Sequence, residues 1–468
     1  MTWITSREGG IKTTVSAVKN IRHTPRPAQA AAAGFVVLIL AGALLLMLPW
    51  SSASGEATPF LSALFTATSA TSLTGLIVVD TATFWSPLGQ VIILALIQLG
   101  GLGIMTLTTF SGMLLTGRVS FKARQTAAAE GRTLGVGGIR STLALTIIVT
   151  LACEAAVAAI LAVRHVVAYD VGLGRALWIG VFHAVSAFNN AGFSTYSDNL
   201  IGFAHDAWIV LPVAAALIIG GLGYPVLAEF VRTIRVKMRN RIIRHHMSVT
   251  ARMTLVATTA LLLGGMAFVV LAEWDGVLAG MSWQHKILNA FFQSAAPRTA
   301  GFQTIDYAEA KPLTLMGTDI LMFIGGGSAG TAGGIKVTTA CVLLAAMAAE
   351  FMGREEVGIG KRKLSDAVIR QALALATAGA GVVTLGVGLI RYFDPEFTGD
   401  QVLFEVMSAF ATVGLSTGIT GSLSAPSQVV LCAIMYLGRV GPATLVAALA
   451  ARTVTRRFSY PEERPYIG

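Results

Sequence analysis

Apolar positions in this chain of 468 residues gather in long blocks, and the blocks recur at nearly even intervals. The runs Ala30 to Trp50, Leu88 to Leu115, Thr142 to Val163, Trp208 to Val231, Met253 to Glu273, Leu313 to Phe323 and Val429 to Ala450 are mostly uncharged. Most are close to the ~20 residues with which a helix crosses the hydrocarbon core of a bilayer. They predict about eight spans, an outgoing and an incoming helix in each of four units.

The polar segments between the spans alternate in sign. Arg118 to Arg140, Arg232 to Arg252, Arg354 to Arg370 and Arg452 to Arg457 are basic, whereas Glu56, Asp80, Asp198, Asp206, Asp306, Glu309, Asp394, Glu396 and Asp400 lie in the intervening segments. Basic loops remain on the cytoplasmic side of a membrane, which puts the acidic segments outside and both chain ends in the cytoplasm. A basic leader with Arg7, Lys12, Lys19, Arg22 and Arg26 precedes the first span. No small-residue cleavage site follows a short apolar core there, so no signal peptide is expected to be removed.

Within each unit, something outside must join the outgoing helix to the incoming one, and the same short pattern stands there four times. Phenylalanine lies ten positions before a glycine in every copy: Phe65 and Gly75, Phe182 and Gly192, Phe291 and Gly301, Phe404 and Gly414. Six positions before the glycine stand Ser69, Ser186, Ala295 and Ser408, and after it Leu76, Phe193, Phe302 and Leu415. The glycines are 117, 109 and 113 residues apart, the even period of duplicated structural units.

Each decapeptide is too short to span, so it enters the membrane as a re-entrant helix followed by irregular backbone. Irregular backbone at that depth survives only where protein or water satisfies its N–H and C=O groups. A pore provides that setting: glycine admits backbone angles that turn carbonyls toward an axis, and carbonyl rings replace the hydration shell of a cation. The alternative is four packing turns in a generic transporter.

A second shared feature lies 24 to 28 residues after each of these glycines: Gly100-Gly101, Gly220-Gly221, Gly325-Gly326 and Gly438-Arg439. Small residues there let helices approach closely. The third copy extends into Gly325, Gly326, Gly327, Ser328, Ala329, Gly330, Thr331, Ala332, Gly333 and Gly334, where a continuous helix is costly. It predicts a broken, mobile intramembrane gate loop. A phosphate-binding reading fails, because Lys336 precedes Val337 where Ser or Thr is required.

Arg439 takes the place of a glycine, about ten residues into a span, hence some 15 Å deep at ~1.5 Å per residue. A charge at that depth is usually functional, and a fixed cation facing the axis would form a barrier to permeating cations. The competing reading pairs it with Asp319 or Glu405. Glu154, within a span, is either an interhelical contact or an ion site. His183 is read as a packing residue of the second pore helix, and Arg298 as a brace for the third loop.

Composition agrees with a membrane protein: 54% of residues are apolar, 12% are charged, and mean hydropathy is +0.71. The net charge of +10 is dispersed in the inter-span segments, not gathered on one face, so it marks topology and not a nucleic-acid partner. Cys153, Cys341 and Cys432 lie in apolar stretches without metal-ligand spacing and are read as packing residues. No paired carboxylates, His cluster or nucleophile motif stands at catalytic spacing, which argues against a membrane enzyme. Every repeat starts and ends on the basic side, unlike the inverted repeats of many secondary transporters.

These stretches resemble the Trk/Ktr/HKT superfamily of potassium transporters, most closely its Ktr-type membrane subunit. The likeness spans nearly the whole chain: SATSLTGL, QLGGLGIMT, FHAVSAFNNAGFS, PRTAGF, GGGSAGTAGGIK, SAFATVGLSTGIT, GRVGPAT and the closing YPEERPYIG. It implies an all-α polytopic fold of four parallel helix–pore loop–helix repeats around one pseudo-four-fold ion pore. It also implies a filter that binds potassium on backbone at Thr71, Ser72, Leu73, Thr74 and Gly75; at Phe188, Asn189, Asn190, Ala191 and Gly192; at Pro297, Arg298, Thr299, Ala300 and Gly301; and at Ala411, Thr412, Val413 and Gly414. Residues 325–334 with Lys336 become the gate, and Arg439 the pore arginine.

The resemblance further implies a homodimer in the bacterial cell membrane, in contact with lipid and docked on a cytosolic ring of KtrA-like regulatory subunits. Nucleotide would bind only that ring, since this chain has no nucleotide fingerprint and needs no cofactor beyond its potassium substrate. The expected divisions are a leader at 1–27, repeats at 28–118, 119–235, 236–352 and 353–452, and a tail at 453–468. Each filter has one glycine where potassium channels have two, which leaves the role of sodium open.

Overall fold

The computed structural model describes residues 27–116, 136–239, 247–328, 330–360 and 362–451. Its helices follow the apolar blocks: α1 Pro27–Leu46, α2 Phe60–Ser72, α3 Pro87–Thr116, α4 Val136–Tyr169, α5 Leu173–Phe188, α6 Ala207–Leu222 and α7 Tyr224–Arg239. They continue as α8 Val249–Glu273, α9 Trp283–Ala295, α10 Pro312–Ile324, α11 Val337–Phe351, α12 Asp366–Phe393, α13 Gly399–Ala411 and α14 Ala425–Ala451. A two-strand antiparallel hairpin pairs β1 Gly358–Ile359 with β2 Arg362–Lys363 between α11 and α12.

The order is one plan four times. An outgoing helix (α1, α4, α8, α12) leads to a short pore helix (α2, α5, α9, α13) packed against it. An incoming helix follows, continuous in the first and fourth repeats, broken at Gly223 in the second and by a loop over 325–336 in the third. Thr146–Tyr169, Val249–Glu273 and Asp366–Phe393 are long and apolar enough to cross a membrane. Helix starts carry local signals: Asp206 caps α6 by accepting from Trp208 N–H, Ser248 caps α8 through Ala251 N–H, and Thr398 and Gln401 close a capping box on α13.

Four buried apolar clusters lie at the four seams between repeats and close the ring. Phe182 and Phe193 of the second repeat pack with Ala67 and Ile97 of the first. Phe302 of the third joins Val210 and Leu217 of the second, Phe404 and Leu415 of the fourth join Val269 and Met322 of the third, and Phe65 and Leu76 of the first join Val406 and Leu431 of the fourth. The recurrent phenylalanine and the residue after each glycine are thus seam residues. In lipid this packing is worth its close contacts more than any gain over water, so shape at the seam sets the ring.

Candidate functional site

The four glycines meet in one ring, each against the backbone of the next repeat. A Cβ on Gly75 would stand 2.5 Å from Ala191 O, on Gly192 3.0 Å from Ala300 O, on Gly301 2.3 Å from Val413 O, and on Gly414 2.0 Å from Thr74 O. Four carbonyls, each one residue before its glycine, therefore share the ring with the glycines. The glycines have φ of 94°, 72°, 70° and 93°, values that side-chain-bearing residues rarely adopt.

Two residues before each glycine the backbone is left-handed again, now at Leu73, Asn190, Thr299 and Thr412, with φ of 58°, 56°, 84° and 50°. Only Asp170 and Asn199 share that state among the other described non-glycine residues. Each such residue costs on the order of 1–3 kcal/mol and persists where its surroundings over-determine it. Part of that constraint is the recurrent serine. Ser69 Oγ accepts from Gly75 N–H at 3.0 Å, Ser408 Oγ from Gly414 N–H at 2.9 Å, and Ser186 Oγ donates to Phe193 O at 2.7 Å.

The pore helices run into the segments expected to form the filter. Thr71, Ser72, Phe188 and Ala411 complete the pore helices, because the backbone turns left-handed only at Leu73, Asn190 and Thr412. Pro297, Arg298 and Ala300 lie in the turn that follows α9. Arg298 braces this turn by donating to Thr258 O at 3.3 Å and Thr258 Oγ1 at 3.0 Å. Glu154 is an interhelical contact: its carboxylate accepts from Asn189 Nδ2 at 3.0 Å, at the end of the second pore helix.

Two further supports escaped the sequence reading. Nine positions before the glycine stand His183 in the second repeat and Glu405 in the fourth, and each clamps the serine two positions after it. His183 Nε2 lies 3.0 Å from Ser194 Oγ, while Glu405 accepts from Ser416 Oγ at 2.5 Å, Thr417 N–H at 3.0 Å and Thr420 Oγ1 at 2.7 Å. The shared Gly-x-Ser-Thr of Gly192 to Thr195 and Gly414 to Thr417 was the available signal.

Above the ring a vestibule of ≈ 320 Å³ is lined by Asp80, Asp306, Asn199, Tyr196 and the glycines Gly75, Gly192 and Gly414. Asp80 accepts from Ala82 N–H at 3.0 Å, Thr83 Oγ1 at 2.7 Å and Ser197 Oγ at 2.6 Å, tying the first repeat to the second. Burial pushes its pKa up, but the hydrogen bonds from Ser197, Thr83 and Ala82 outweigh it and hold the carboxyl below its ordinary value. The mouth thus carries a fixed negative charge.

Below the ring, residues 325–328 and 330–336 fill the space between the incoming helices. Gly327 N–H donates to Gly221 O at 2.9 Å, Val337 N–H to Gly326 O at 2.9 Å, and Ser328 Oγ lies 2.6 Å from Thr338 Oγ1. A Cβ on Gly333 would stand 2.0 Å from Thr412 Oγ1, and one on Gly330 2.8 Å from Gly221 O, so the loop abuts the second and fourth repeats. Gly325 and Gly334 turn with φ of 61° and 66°. Lys336 donates to Ala332 O, and Arg439 to Thr331 O. Ala329 lies outside the described residues.

The structure overturns the pairing of Arg439 with a carboxylate. Glu405 is committed to Ser416, Thr417 and Thr420, Asp319 Oδ1 has no partner, and no ion pair among the described residues includes Arg439. Arg439 is only 4% exposed. The C-terminal ends of the pore helices meet the incoming helices at this level: Gly100 abuts Thr71 O, Gly220 Phe188 O, and Gly438 Phe410 O. Each such end carries roughly half a negative charge, which compensates buried cations.

The basic leader, most of the first basic segment, Arg241, Arg244, Lys361 and the closing YPEERPYIG lie outside the described residues. Over residues 5–455 the chain matches the family model of TrkH, described as cation transport protein. The chain belongs to the TrkH cation transport family. Membership places it among transporters and not enzymes.

Named relatives agree with that membership. The chain is 36% identical to the Ktr system potassium uptake protein B of Bacillus subtilis (strain 168), covering 96% of this chain and 98% of the relative. It is 36% identical to the potassium/sodium uptake protein NtpJ of Enterococcus hirae, over 96% and 99% of the two chains. The crystal structure of the potassium transporter TrkH from Vibrio parahaemolyticus superposes with a TM-score of 0.70 at 19% identity, covering 93% of this chain and 87% of that one. That likeness establishes the TrkH fold.

Proposed function

We propose that this chain is the ion-conducting subunit of a potassium uptake system in the bacterial cell membrane. The observation that carries the reading is the ring in which Thr74, Ala191, Ala300 and Val413 carbonyls alternate with four glycines. A ring of carbonyl dipoles replaces water around a monovalent cation, and the pore-helix ends add favourable field. The vestibule acids raise the local cation concentration at the entrance. Residues 325–336 act as the gate beneath the filter, and Arg439 holds that gate and sets a barrier.

The names of the Ktr-system relatives support assembly with a KtrA-like cytosolic ring. In this reading the protein is a homodimer with a pore in each subunit, both termini are cytoplasmic, and strands β1 and β2 face the ring. The E. hirae relative, named for potassium and sodium, makes sodium the second cation to measure. The experiment is growth and rubidium uptake at low potassium in cells lacking their own uptake systems, with and without the ring partner. Uptake that requires this chain supports the proposal. No uptake with any partner, together with solute-driven sodium entry, would favour a symporter instead.

A further inference from the structure

A second cleft, of ≈ 370 Å³, lies beside the pore mouth between the outgoing helix α4 and the pore helix α5 of the second repeat. Four aromatic rings form its wall: His165, Tyr169, Tyr196 and Phe203, with neighbouring centroids 4.8 to 6.1 Å apart. Their polar atoms are already committed. His165 Nδ1 lies 2.7 Å from Leu161 O, which makes it the donor and leaves Nε2 to accept from the Tyr196 hydroxyl at 2.5 Å. The Tyr169 hydroxyl donates to Asp206 at 2.9 Å. What the wall offers a ligand is ring surface.

The rim adds one acid and one base. Asp170 and Arg175 both line the cleft, both are exposed, and neither takes part in an ion pair among the described residues. Beside the rim the two helices turn apolar side chains outward, Val163 and Val167 from α4 and Leu173 and Leu177 from α5, with Val167 74% exposed. Apolar stripes of this kind face acyl chains in a membrane protein, so the cleft opens at the boundary between lipid and water on the filter-mouth side.

We propose that the cleft seats the headgroup of a zwitterionic phospholipid of the ethanolamine type. Its phosphate pairs with the Arg175 guanidinium, a charge-assisted contact for which arginine geometry is suited. Its ammonium lies between Asp170 and the aromatic wall, where carboxylate and ring faces both attract a cation. The acyl chains run along Val163, Val167, Leu173 and Leu177. A purely anionic headgroup would leave Asp170 opposed by like charge, and a free phosphate would leave the aromatic wall unused.

The cleft is coupled to the filter by a shared wall. Tyr196 also lines the vestibule above the glycine ring, and its ring stacks on His183 with centroids 5.0 Å apart. His183 in turn holds Ser194 at 3.0 Å, two residues past Gly192. A headgroup in the cleft therefore braces the second repeat's side of the filter. This consequence rests on the pore reading above, whereas the lipid contact itself does not.

The test uses the full chain, purified and exchanged into phosphatidylethanolamine or phosphatidylglycerol, with retained lipid read by native mass spectrometry. Preferential retention of phosphatidylethanolamine is expected, with Arg175→Gln and Asp170→Asn each lowering it about tenfold. Equal retention of the two lipids, or retention unchanged by both substitutions, would overturn the site. Competition by soluble glycerophosphoethanolamine as strong as by the lipid would overturn the lipid source. A second copy of the chain over the cleft would shield Arg175→Cys from an aqueous maleimide in lipid-free protein, and that result too would overturn it. Rubidium flux into vesicles with and without phosphatidylethanolamine then separates the readings: lipid retention that depends on both residues, without flux in any vesicle, keeps the site and removes the pore.

Discussion

The guanidinium of Arg439 donates to the carbonyl oxygen of Thr331, so the incoming helix of the fourth repeat holds the loop that interrupts the third. Glutamine at 439 is shorter and uncharged, and it removes both the tether and the fixed cation. Arg439→Gln is expected to raise the maximal rate of rubidium uptake several-fold, with weaker dependence on the ring partner. Uptake kinetics identical to the parent would leave Arg439 as a packing residue.

Removing part of the loop is a stronger version of the same perturbation. Deletion of residues 328–332 takes away Thr331 and the Ser328 contact to Thr338 while leaving the Ser69, Ser186, Ser408, His183 and Glu405 contacts in place. The deleted protein is expected to conduct without the ring partner, read as constitutive uptake in cells lacking that partner. Unchanged flux would remove the gating role from this segment.

The four ring glycines should tolerate nothing larger. Alanine at Gly414 would bring its Cβ within 2.0 Å of Thr74 O, a backbone atom that can shift only by deforming the neighbouring repeat. The left-handed backbone adds about 1–2 kcal/mol of strain for a residue with a Cβ. Gly414→Ala is expected to abolish high-affinity uptake while the protein still reaches the membrane, as immunoblotting of membrane fractions would check. Retained affinity would show that the ring is not the filter.

Glu405 and His183 offer a graded test of filter support. Glu405→Ala strands Ser416, Thr417 and Thr420, and is expected to destabilise the protein by about 2–4 kcal/mol, with relaxed preference for potassium over sodium. His183→Ala loses one clamp contact, to Ser194, and should be milder. Thermal unfolding in detergent and competition between rubidium and sodium measure the two effects. An unaltered ion preference in both variants would confine these residues to folding.

The vestibule charge gives a pH prediction with a definite sign. Asp80 has a lowered pKa, so it stays ionised at every pH above the usual aspartate value of about 3.9 and gains its proton only below it. Its contribution to uptake is therefore constant from pH 5 to pH 8. Asp80→Asn is expected to raise KM about two- to five-fold at low ionic strength, with the difference shrinking in high salt. A KM unchanged by the substitution in low salt would remove Asp80 from the entry path.

Much of the glycine ring was legible in the chain because its tightest contacts constrain residue type. Where Gly75 faces Ala191 O and Gly414 faces Thr74 O, only glycine fits, and four glycines in common register survive as a visible period. Ser69, Ser186 and Ser408 were visible for the same reason, since each meets backbone of its own loop. The long apolar blocks set the spans, and the glycine-dense stretch at 325–334 located the break in the third repeat.

Other features depend on partners distant in the chain, and no local pattern marks them. Leu73 and Thr412 adopt left-handed backbone without a residue type that favours it, because the pore helix and the neighbouring repeat together leave no alternative. Glu154 meets Asn189 and Arg439 meets Thr331 only once the repeats have closed on one another. By itself the sequence determined the four-fold plan and the four ring glycines, since sterics there exclude other side chains. The tertiary structure decided where each pore helix ends, which groups hold the loops, and what Arg439 binds, since those follow from ring closure at the seams.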